Sequence, residues 1–167
     1  MINFQKSFWY LTSWHWTNGI LQLTKTLDAL GSIQLTTGMS PETVPHTGID
    51  KAFHTLGVPL TPSGSPKYAI KILHEHSSKY AGSVSSSSLT QAMAYASLTM
   101  HHRPKVGFPI PTLDITKMEC IFVQAPALSA ALPKLHFIRK TARSIINGPP
   151  CYGSLAIPEF HAEQGIG

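Results

Sequence analysis

Residues 8–26, FWYLTSWHWTNGILQLTKT, decide the fold of the N-terminal part of the chain. One alternating run precedes Asn18-Gly19, and a second alternating run follows it over 20–24. Asparagine and glycine both accept the positive φ angles of a tight turn, so Asn-Gly between two such runs is a strong hairpin signal. The sequence therefore predicts a β-hairpin that turns at Asn18-Gly19.

Short strands are also predicted on the C-terminal side of this hairpin. The segments 32–37 and 53–60 have the composition of strands, whereas 38–51 contains two prolines and two glycines and is predicted to be a loop. We therefore expect a small antiparallel sheet over about 5–60, within a β subdomain that covers 1–62.

In the second part of the chain the apolar spacing changes to three and four residues, as is typical of amphipathic helices. Breaks are expected at Gly82 with the serines 85–88, at Pro126, and over the proline-rich segment 104–111, which is predicted to be extended. Ser88 is a suitable N-cap. The predicted helices cover 66–82, 89–102, 113–125, 127–132 and 139–146.

Strands followed by helices predict an α+β fold. The helices are expected to form a thumb-like lobe over about 65–147, within a second domain, 63–167, that ends in an irregular tail. The hydrophobic content of 43% is sufficient for a core, and 167 residues fit one domain or little more.

Positive charge is concentrated in one part of the sequence. Residues 103–143 contain seven Lys or Arg against two acids, and the whole chain has a formal charge of +5 and a pI near 9.3. Clustered positive charge is typical of proteins with a polyanion partner, most often nucleic acid, although a solvated basic surface gives the same pattern. The charged content of 13% is low against the usual value of about 25%, which favours a surface partly covered by further protein.

The sequence carries no visible membrane or secretory signal. No apolar run approaches the roughly 18 residues that a membrane-spanning helix needs, and Met1 is followed by polar residues rather than by a signal-peptide stretch. Cys120 and Cys151 form no disulfide framework. We therefore expect no membrane partner and a reducing, intracellular compartment of otherwise unknown identity.

Patterns for metal binding and catalysis are weak. The close histidine pairs are His74 with His76 and His101 with His102, and neither has cysteine or carboxylate partners at zinc-like spacing, so no metal site is expected. The eight acids form no cluster suited to two-metal phosphoryl transfer, and the glycine motifs of nucleotide loops and serine-hydrolase elbows are missing. A buried or inert thiol is the expected state of each cysteine.

An ordered series of short motifs extends through the C-terminal two-thirds of the chain. The motifs are Pro104-Lys105, Phe108-Pro109-Ile110-Pro111, Cys120, Gln124-Ala125-Pro126-Ala127, Leu132-Pro133-Lys134-Leu135, Arg139-Lys140-Thr141-Ala142-Arg143, Gly148-Pro149, Tyr152-Gly153 and Glu163-Gln164-Gly165-Ile166-Gly167. In order and spacing they resemble the region after the catalytic palm in reverse transcriptases of retrotransposon-like elements from diatoms, fungi and other microbial eukaryotes.

The N-terminal third resembles the same family. Residues 3–11, NFQKSFWYL, look like its fourth polymerase motif, and residues 53–58, FHTLGV, look like its fifth, the primer-grip hairpin. The chain also departs from the family pattern. The departures are Ser7 in place of Cys, Arg103 where Trp is common, Ile138 where Asn is frequent, and Ser154 in place of the second Gly of Tyr-Gly-Gly.

The resemblance implies the C-terminal part of an RNA-directed DNA polymerase, namely the end of the palm, the primer grip and the thumb. The family's metal-binding carboxylates would lie upstream of these motifs. Mg²⁺ is therefore expected only in a full-length polymerase, this chain is expected to bind no cofactor, and it is not expected to polymerise alone. The expected partners are a primer–template duplex and an upstream polymerase palm.

The resemblance also implies roles for particular residues. Lys6 would lie near the leaving pyrophosphate, or else be an ordinary exposed lysine. Leu56 and Gly57 would shape the primer-grip turn, or else form a simple strand bulge. Arg139 and Arg143, four residues apart, would share a helical face; the alternative is a solvated basic face. The residues expected to contact backbone phosphates are Lys105, Lys134, Arg139, Lys140 and Arg143.

Other interpretations stay open at this level. Trp9, Trp14 and Trp16 are expected to cover a core, with base stacking as the alternative. The chain could instead be a non-enzymatic protein that binds nucleic acid or that interacts within a larger assembly. The assembly alternative predicts an exposed apolar patch on the hairpin. It could also be a degenerate retroelement remnant, as the missing carboxylates and Ser154 suggest.

Overall fold

Strands come first along the chain and helices follow, which confirms the α+β class. The predictions for Lys6 and Leu56, and for the motif that begins at Asn3, fall wholly or partly outside the residues that can be described. The computed structural model describes residues 8–24, 32–37, 40–55 and 57–164.

The described residues divide into two compact units. The first contains the described residues up to Phe53 together with Leu60–Ser65. The second contains His54–Pro59 and the described residues from Pro66 onward, and it holds every helix of the described chain.

The first unit contains an antiparallel hairpin of β1 (Ser13–Thr17) and β2 (Ile20–Thr24). Asn18 and Gly19 form its turn with φ angles of 51° and 78°, in the left-handed region that this kind of hairpin turn requires. β1 begins only at Ser13, so residues 8–12 lie outside the hairpin although their sequence also alternates.

Trp9 instead contacts the segment that follows the next hairpin. The Trp9 N–H donates to Pro45 O at 3.2 Å, and the Thr47 N–H donates to Trp9 O at 2.9 Å, which makes a single parallel bridge. The indole Nε1–H donates to Val44 O at 3.1 Å. These three hydrogen bonds hold the half-buried Trp9 side chain in the first unit.

The second hairpin pairs β3 (Ile33–Thr37) with β4 (Ser40–Val44). β3 coincides with the strand predicted over 32–37. The prediction of a loop over 38–51 is wrong for Ser40–Val44, which form β4. Pro41 lies opposite Thr36 in this ladder. A two-stranded ladder leaves alternate N–H groups without a partner on its outer edge, so it tolerates the missing donor of a proline.

The strand predicted over 53–60 is a third hairpin, made of β5 (Phe53–Thr55) and β6 (Val58–Leu60). Gly57 has a φ of 83° and reverses the chain inside the run that had indicated one strand. All three ladders in the described part of the chain have two strands, so the single small sheet that was expected is replaced by separate hairpins.

α1 (Lys67–Ser86) begins where a helix was predicted but continues through Gly82 and into the serines predicted as a break. Val84 in its last turn is buried, and this packing outweighs the cost of about 1 kcal/mol for an interior glycine. The Ser83 hydroxyl donates to Lys79 O at 3.1 Å and therefore stays within the helix.

α2 (Gln91–Ala96) begins at Thr90, whose Oγ1 accepts from the Met93 N–H at 3.3 Å. The prediction of Ser88 as the N-cap is therefore wrong, because Ser88 lies two residues before the observed N-cap, Thr90. The reason is that the preceding helix extends further than its sequence pattern indicates, and the break is confined to the short segment before Thr90.

The chain remains helical beyond α2 through a π-helical turn (Ser97–His102) and α3 (Arg103–Gly107). The proline-rich segment predicted to be extended is therefore helical at its start. Pro104 has no N–H, and in a regular α-helix its ring would clash with the carbonyl four residues earlier. At the end of the π-helical turn the Arg103 N–H donates to Leu98 O, five residues earlier. This wider turn relieves the conflict.

α4 (Lys117–Lys134) is one helix where two were predicted, over 113–125 and 127–132. Pro126 lies inside it and removes one backbone hydrogen bond, at a cost of about 3 kcal/mol. Burial of apolar side chains on both sides of the proline outweighs this cost. The buried apolar residues of α4 are Cys120, Val123, Ala127, Leu128, Ala130, Ala131 and Leu132.

The remaining elements are short. α5 (Arg143–Asn147) begins later than the helix predicted over 139–146, and α6 (Phe160–Gln164) ends the described chain. Two 3₁₀ turns cover Ile110–Thr112 and Pro150–Tyr152. The core of the helical unit includes Leu98, Ala127, Leu128, Ala131, Leu132, Ile146 and Ile157.

Candidate nucleic-acid interface

The C-terminal end of α4 reverses the chain through a Schellman motif. His136 adopts a φ of 64°, its N–H donates to Pro133 O at 3.2 Å, and the Phe137 N–H donates to Leu132 O at 2.9 Å. The Phe137 side chain packs against the core cluster that contains Leu132, which is the apolar contact that often accompanies this motif. The reversal directs the following residues back along α4.

A turn and a short helix follow this reversal. Thr141 donates both its N–H and its hydroxyl to Ile138 O, at 3.0 and 2.7 Å, which closes a turn before α5 begins at Arg143. Arg139 therefore lies in the turn, and the prediction that it shares a helical face with Arg143 is wrong. The physical reason is that a threonine hydroxyl offers the backbone a local alternative to helical hydrogen bonds.

Arg139, Lys140 and Arg143 nevertheless come together at one cleft, of about 310 Å³, and all three are exposed. Part of its wall is apolar, because it shares three buried side chains with the core. We call it the basic cleft. Its residues are Ala125, Leu128, Ser129, Leu132, Arg139, Lys140, Thr141, Arg143 and Ile146.

The charges of the basic cleft are not neutralised by the described residues. Its lining includes no carboxylate. The C-terminal acids pair elsewhere, since Glu163 binds Arg103 and Glu159 lies 4.0 Å from Lys117. The three cationic residues of the basic cleft make no ion pair within the described chain, so their charges are available to an external anion.

Lys134 and Lys105, the other residues expected to contact phosphates, lie outside the basic cleft. Lys134 is half-buried, and its Nζ donates to Ser87 O at 2.7 Å, at the C-terminal end of α1. A cation at this end of a helix is stabilised by the carbonyl groups, so Lys134 has a structural contact that the sequence did not indicate. Lys105 lines a different cavity, beside α1 and the π-helical turn.

Gly57 lies in the turn of the third hairpin and is exposed. A Cβ added there would meet nothing within 4 Å among the described residues, so the glycine is required by its positive φ and not by close packing. Leu56 and Lys6 lie outside the described residues, and their roles stay predictions.

The prediction that the tryptophans cover a core is wrong for two of the three. Trp14 and Trp16 are 58% and 73% exposed. The register places Trp14 opposite Leu23 and Trp16 opposite Leu21, and alternate residues of a strand share a face. The first hairpin therefore presents an apolar face, which cross-strand pairing stabilises without burial.

Other chemistry is limited within the described chain. No group of three or more His, Cys, Asp or Glu side chains is placed to hold a metal ion in the described residues. Cys120 is buried, and this burial, with Glu119 and Glu159 nearby, raises the pKa of its thiol and disfavours the reactive thiolate; Cys151 is exposed. None of the described helices is long and apolar enough to cross a membrane.

Three residues that fix the ends of α4 were missed in the sequence. Thr116 and Glu119 form a capping box at the start of α4, and the Thr-x-x-Glu pattern could have located that start. His136 had no such signal, because glycine or asparagine usually marks a left-handed C-terminal residue. Both ends of the helix that bears one wall of the cleft therefore depend on specific hydrogen bonds.

Comparisons with protein-family models, with curated proteins and with solved structures give no match to this chain. The described residues establish the α+β class and two compact units.

Proposed function

We propose that this chain is the C-terminal segment of an RNA-directed DNA polymerase of the retrotransposon type, and that it grips the backbone of a primer–template duplex. The observation that carries the proposal is the convergence of Arg139, Lys140 and Arg143 on one cleft without a carboxylate in its described lining. The motifs that resemble this family include the same residues. In this proposal the Asn18-Gly19 hairpin belongs to the palm end, and the helical unit is the thumb-like lobe.

The basic cleft suits phosphate oxygens better than base edges. Arginine presents a planar set of donors that can bind a phosphate through two hydrogen bonds, and lysine acts as a mobile point charge. Such contacts position a duplex but carry no sequence information. We therefore expect binding that is insensitive to base sequence and that weakens steeply as salt increases.

Fluorescence anisotropy with a labelled RNA–DNA hybrid duplex tests the proposal. Replacing Arg139 or Arg143 with Gln is expected to weaken binding about tenfold, because a charge-assisted hydrogen bond contributes about 1.5 kcal/mol or more. Lys67→Gln is the matched control, since it removes the same charge from an exposed position outside the cleft. Equal effects of all three substitutions, or no binding by the unchanged protein, would contradict the proposal.

Nucleotide transfer would require the carboxylates and Mg²⁺ of an upstream palm, as the resemblance implies. That palm is the proposed protein partner. The proposed contact surface is the apolar hairpin face of Trp14, Trp16, Leu21 and Leu23.

A second candidate function is a protein-interaction subunit of a larger assembly, which the same exposed apolar face favours. A photo-crosslinking residue at Leu21, introduced in the native cells, separates the two candidates. The control position is Gln22, which lies on the opposite face of β2. A cross-link to a polypeptide bearing polymerase carboxylates supports the first candidate, and a cross-link to an unrelated protein supports the second. Equal cross-linking from both positions contradicts both uses of this face.

A further inference from the structure

A cavity of about 390 Å³ lies in the helical unit, and its volume falls within the range of about 300–1,000 Å³ that is typical of small-molecule sites. We call it the histidine cavity. It is bordered by side chains of α1, the π-helical turn and α3. The lining residues that matter here are His76, Lys79, Tyr80, His101, His102 and Lys105.

The π-helical turn places two adjacent histidines at this cavity. Backbone hydrogen bonds in a π-helix join residues five apart, so the turn is wider than an α-helical one, and such turns often occur at functional sites. His101 is exposed, whereas His102 is 3% exposed. The Ser77 hydroxyl lies 3.0 Å from His102 Nε2, and the Tyr80 ring packs against the His102 ring at 4.5 Å between centroids. The His102 ring is therefore held from two sides.

Two imidazole nitrogens at the cavity have no hydrogen-bond partner among the described residues. They are Nδ1 of His76 and Nδ1 of His102, and both are screened from solvent. An unpaired buried polar atom costs about 1–3 kcal/mol, so such atoms are uncommon in folded proteins. A ligand in the cavity would supply the missing partners.

The electrostatics of the cavity favour an anion. Lys79 and Lys105 are exposed at its edge, and its described lining includes no carboxylate. Burial lowers the pKa of His76, and the positive charges of Lys105 and Lys79 act in the same direction, against a smaller opposing effect of Glu75. Burial lowers the pKa of His102 to about 4. The lowered pKa values favour the uncharged form of both rings, in which one ring nitrogen donates a hydrogen bond and the other accepts one.

We propose that the histidine cavity binds an organic phosphomonoester of mononucleotide size. The two lysines bind the phosphate, and the Tyr80 and His102 rings lie beside the planar or apolar part of the ligand. A phosphomonoester has three terminal oxygens and nearly two negative charges, which match two lysines and several hydroxyl and imidazole groups better than one carboxylate does. The site shares no residue with the basic cleft and does not depend on the polymerase proposal.

Isothermal titration calorimetry of the full chain with adenosine 5′-monophosphate tests the proposal. Saturable binding at one site is expected, with adenosine binding at least about tenfold more weakly because it lacks the charged phosphate. Lys79→Gln and Lys105→Gln are each expected to weaken binding about tenfold. Lys71→Gln is the control, an exposed lysine of α1 that does not line the cavity, and it should leave binding unchanged.

The source of the phosphomonoester is resolved by a second titration with a short oligonucleotide that carries either a 5′-phosphate or a 5′-hydroxyl. Preference for the 5′-phosphate identifies a strand end as a ligand, and binding of the free nucleotide alone identifies a metabolite. Ser83→Trp, at an exposed lining position, should block both ligands by filling the cavity. Absence of saturable binding by either phosphate ligand, or binding unchanged by all three cavity substitutions, would overturn the proposal.

Discussion

The Ser77 hydroxyl and His102 Nε2 lie 3.0 Å apart in the interior of the helical unit. Both residues are buried, and this hydrogen bond joins α1 to the π-helical turn across 25 residues of sequence. The π-helical turn that carries His102 ends two residues before Pro104, and α3 begins at Arg103. The contact therefore links a backbone irregularity imposed by a proline to the packing of the longest described helix.

Stability is expected to fall in mild acid because of His102. Its burial, with the charges of His101 and Arg103 next in effect and those of His76 and Lys105 after them, lowers the pKa of His102 to about 4. In the unfolded chain the pKa is near the ordinary 6.5, so between about pH 6.5 and 4 the unfolded state binds a proton that the folded state does not. The free energy of unfolding should decrease by about 2 kcal/mol from pH 7.5 to pH 5, as measured by urea denaturation.

His102→Gln provides the control for this pH dependence. Glutamine does not titrate and retains polar groups that can bind the Ser77 hydroxyl. The variant should therefore show a much flatter dependence over the same interval, although it is less stable at pH 7.5. The pKa of His76 is also lowered, so His76 adds a smaller pH dependence of the same sign, which should remain in the variant. Identical slopes for the two proteins would show that His102 does not carry the effect.

The capping box of α4 is expected to contribute measurably to stability. Glu119 Oε2 accepts from the Thr116 N–H at 2.7 Å, and the Glu119 N–H donates to Thr116 Oγ1 at 3.3 Å. Thr116→Ala should lower the free energy of unfolding by about 1 kcal/mol in thermal or urea denaturation. Thr99→Ala removes a hydroxyl that donates to Tyr95 O within a helical turn and should change stability by less than about 0.5 kcal/mol.

Replacing His136 with Gly is expected to stabilise the protein. The His136 φ of 64° lies in the left-handed region, which costs a non-glycine residue about 1 kcal/mol and suits glycine at this position of a Schellman motif. After the entropy cost of glycine, a gain of about 0.5 kcal/mol should remain in the free energy of unfolding. The same substitution at His101, an exposed helical residue, should instead destabilise by about 1 kcal/mol. A loss at both positions would contradict the role assigned to the turn.

Local patterns in the sequence located the elements that depend on local chemistry. The Asn18-Gly19 pair stands at an observed turn because its residues accept positive φ, and the three- and four-residue spacing after Pro66 corresponds to α1. Separate hairpins could not be distinguished from one sheet, because the pairing of strands depends on contacts that alternation does not specify.

The errors arose where tertiary packing overrides local preference. Pro126 and Gly82 read as breaks, yet α4 and α1 continue through them because buried residues follow on the same helices. Arg139 and Arg143 were expected to share a helical face, but Arg139 lies in a turn closed by Thr141, and the two meet with Lys140 at the basic cleft instead. The histidine cavity was not foreseen, because it requires a π-helical turn that no periodicity indicates.

The salt dependence of hybrid-duplex binding tests the central claim most directly. The logarithm of the association constant should fall linearly with the logarithm of the salt concentration. The magnitude of this slope should decrease by about 0.9 for each phosphate contact that a substitution removes. A variant with Gln at Arg139, Lys140 and Arg143 should therefore show a slope reduced by about 2–3, whereas a variant of equal charge, with Gln at Lys51, Lys67 and Lys71, should keep the original slope. Equal slopes for both variants would contradict the assignment of the basic cleft as the phosphate-binding surface.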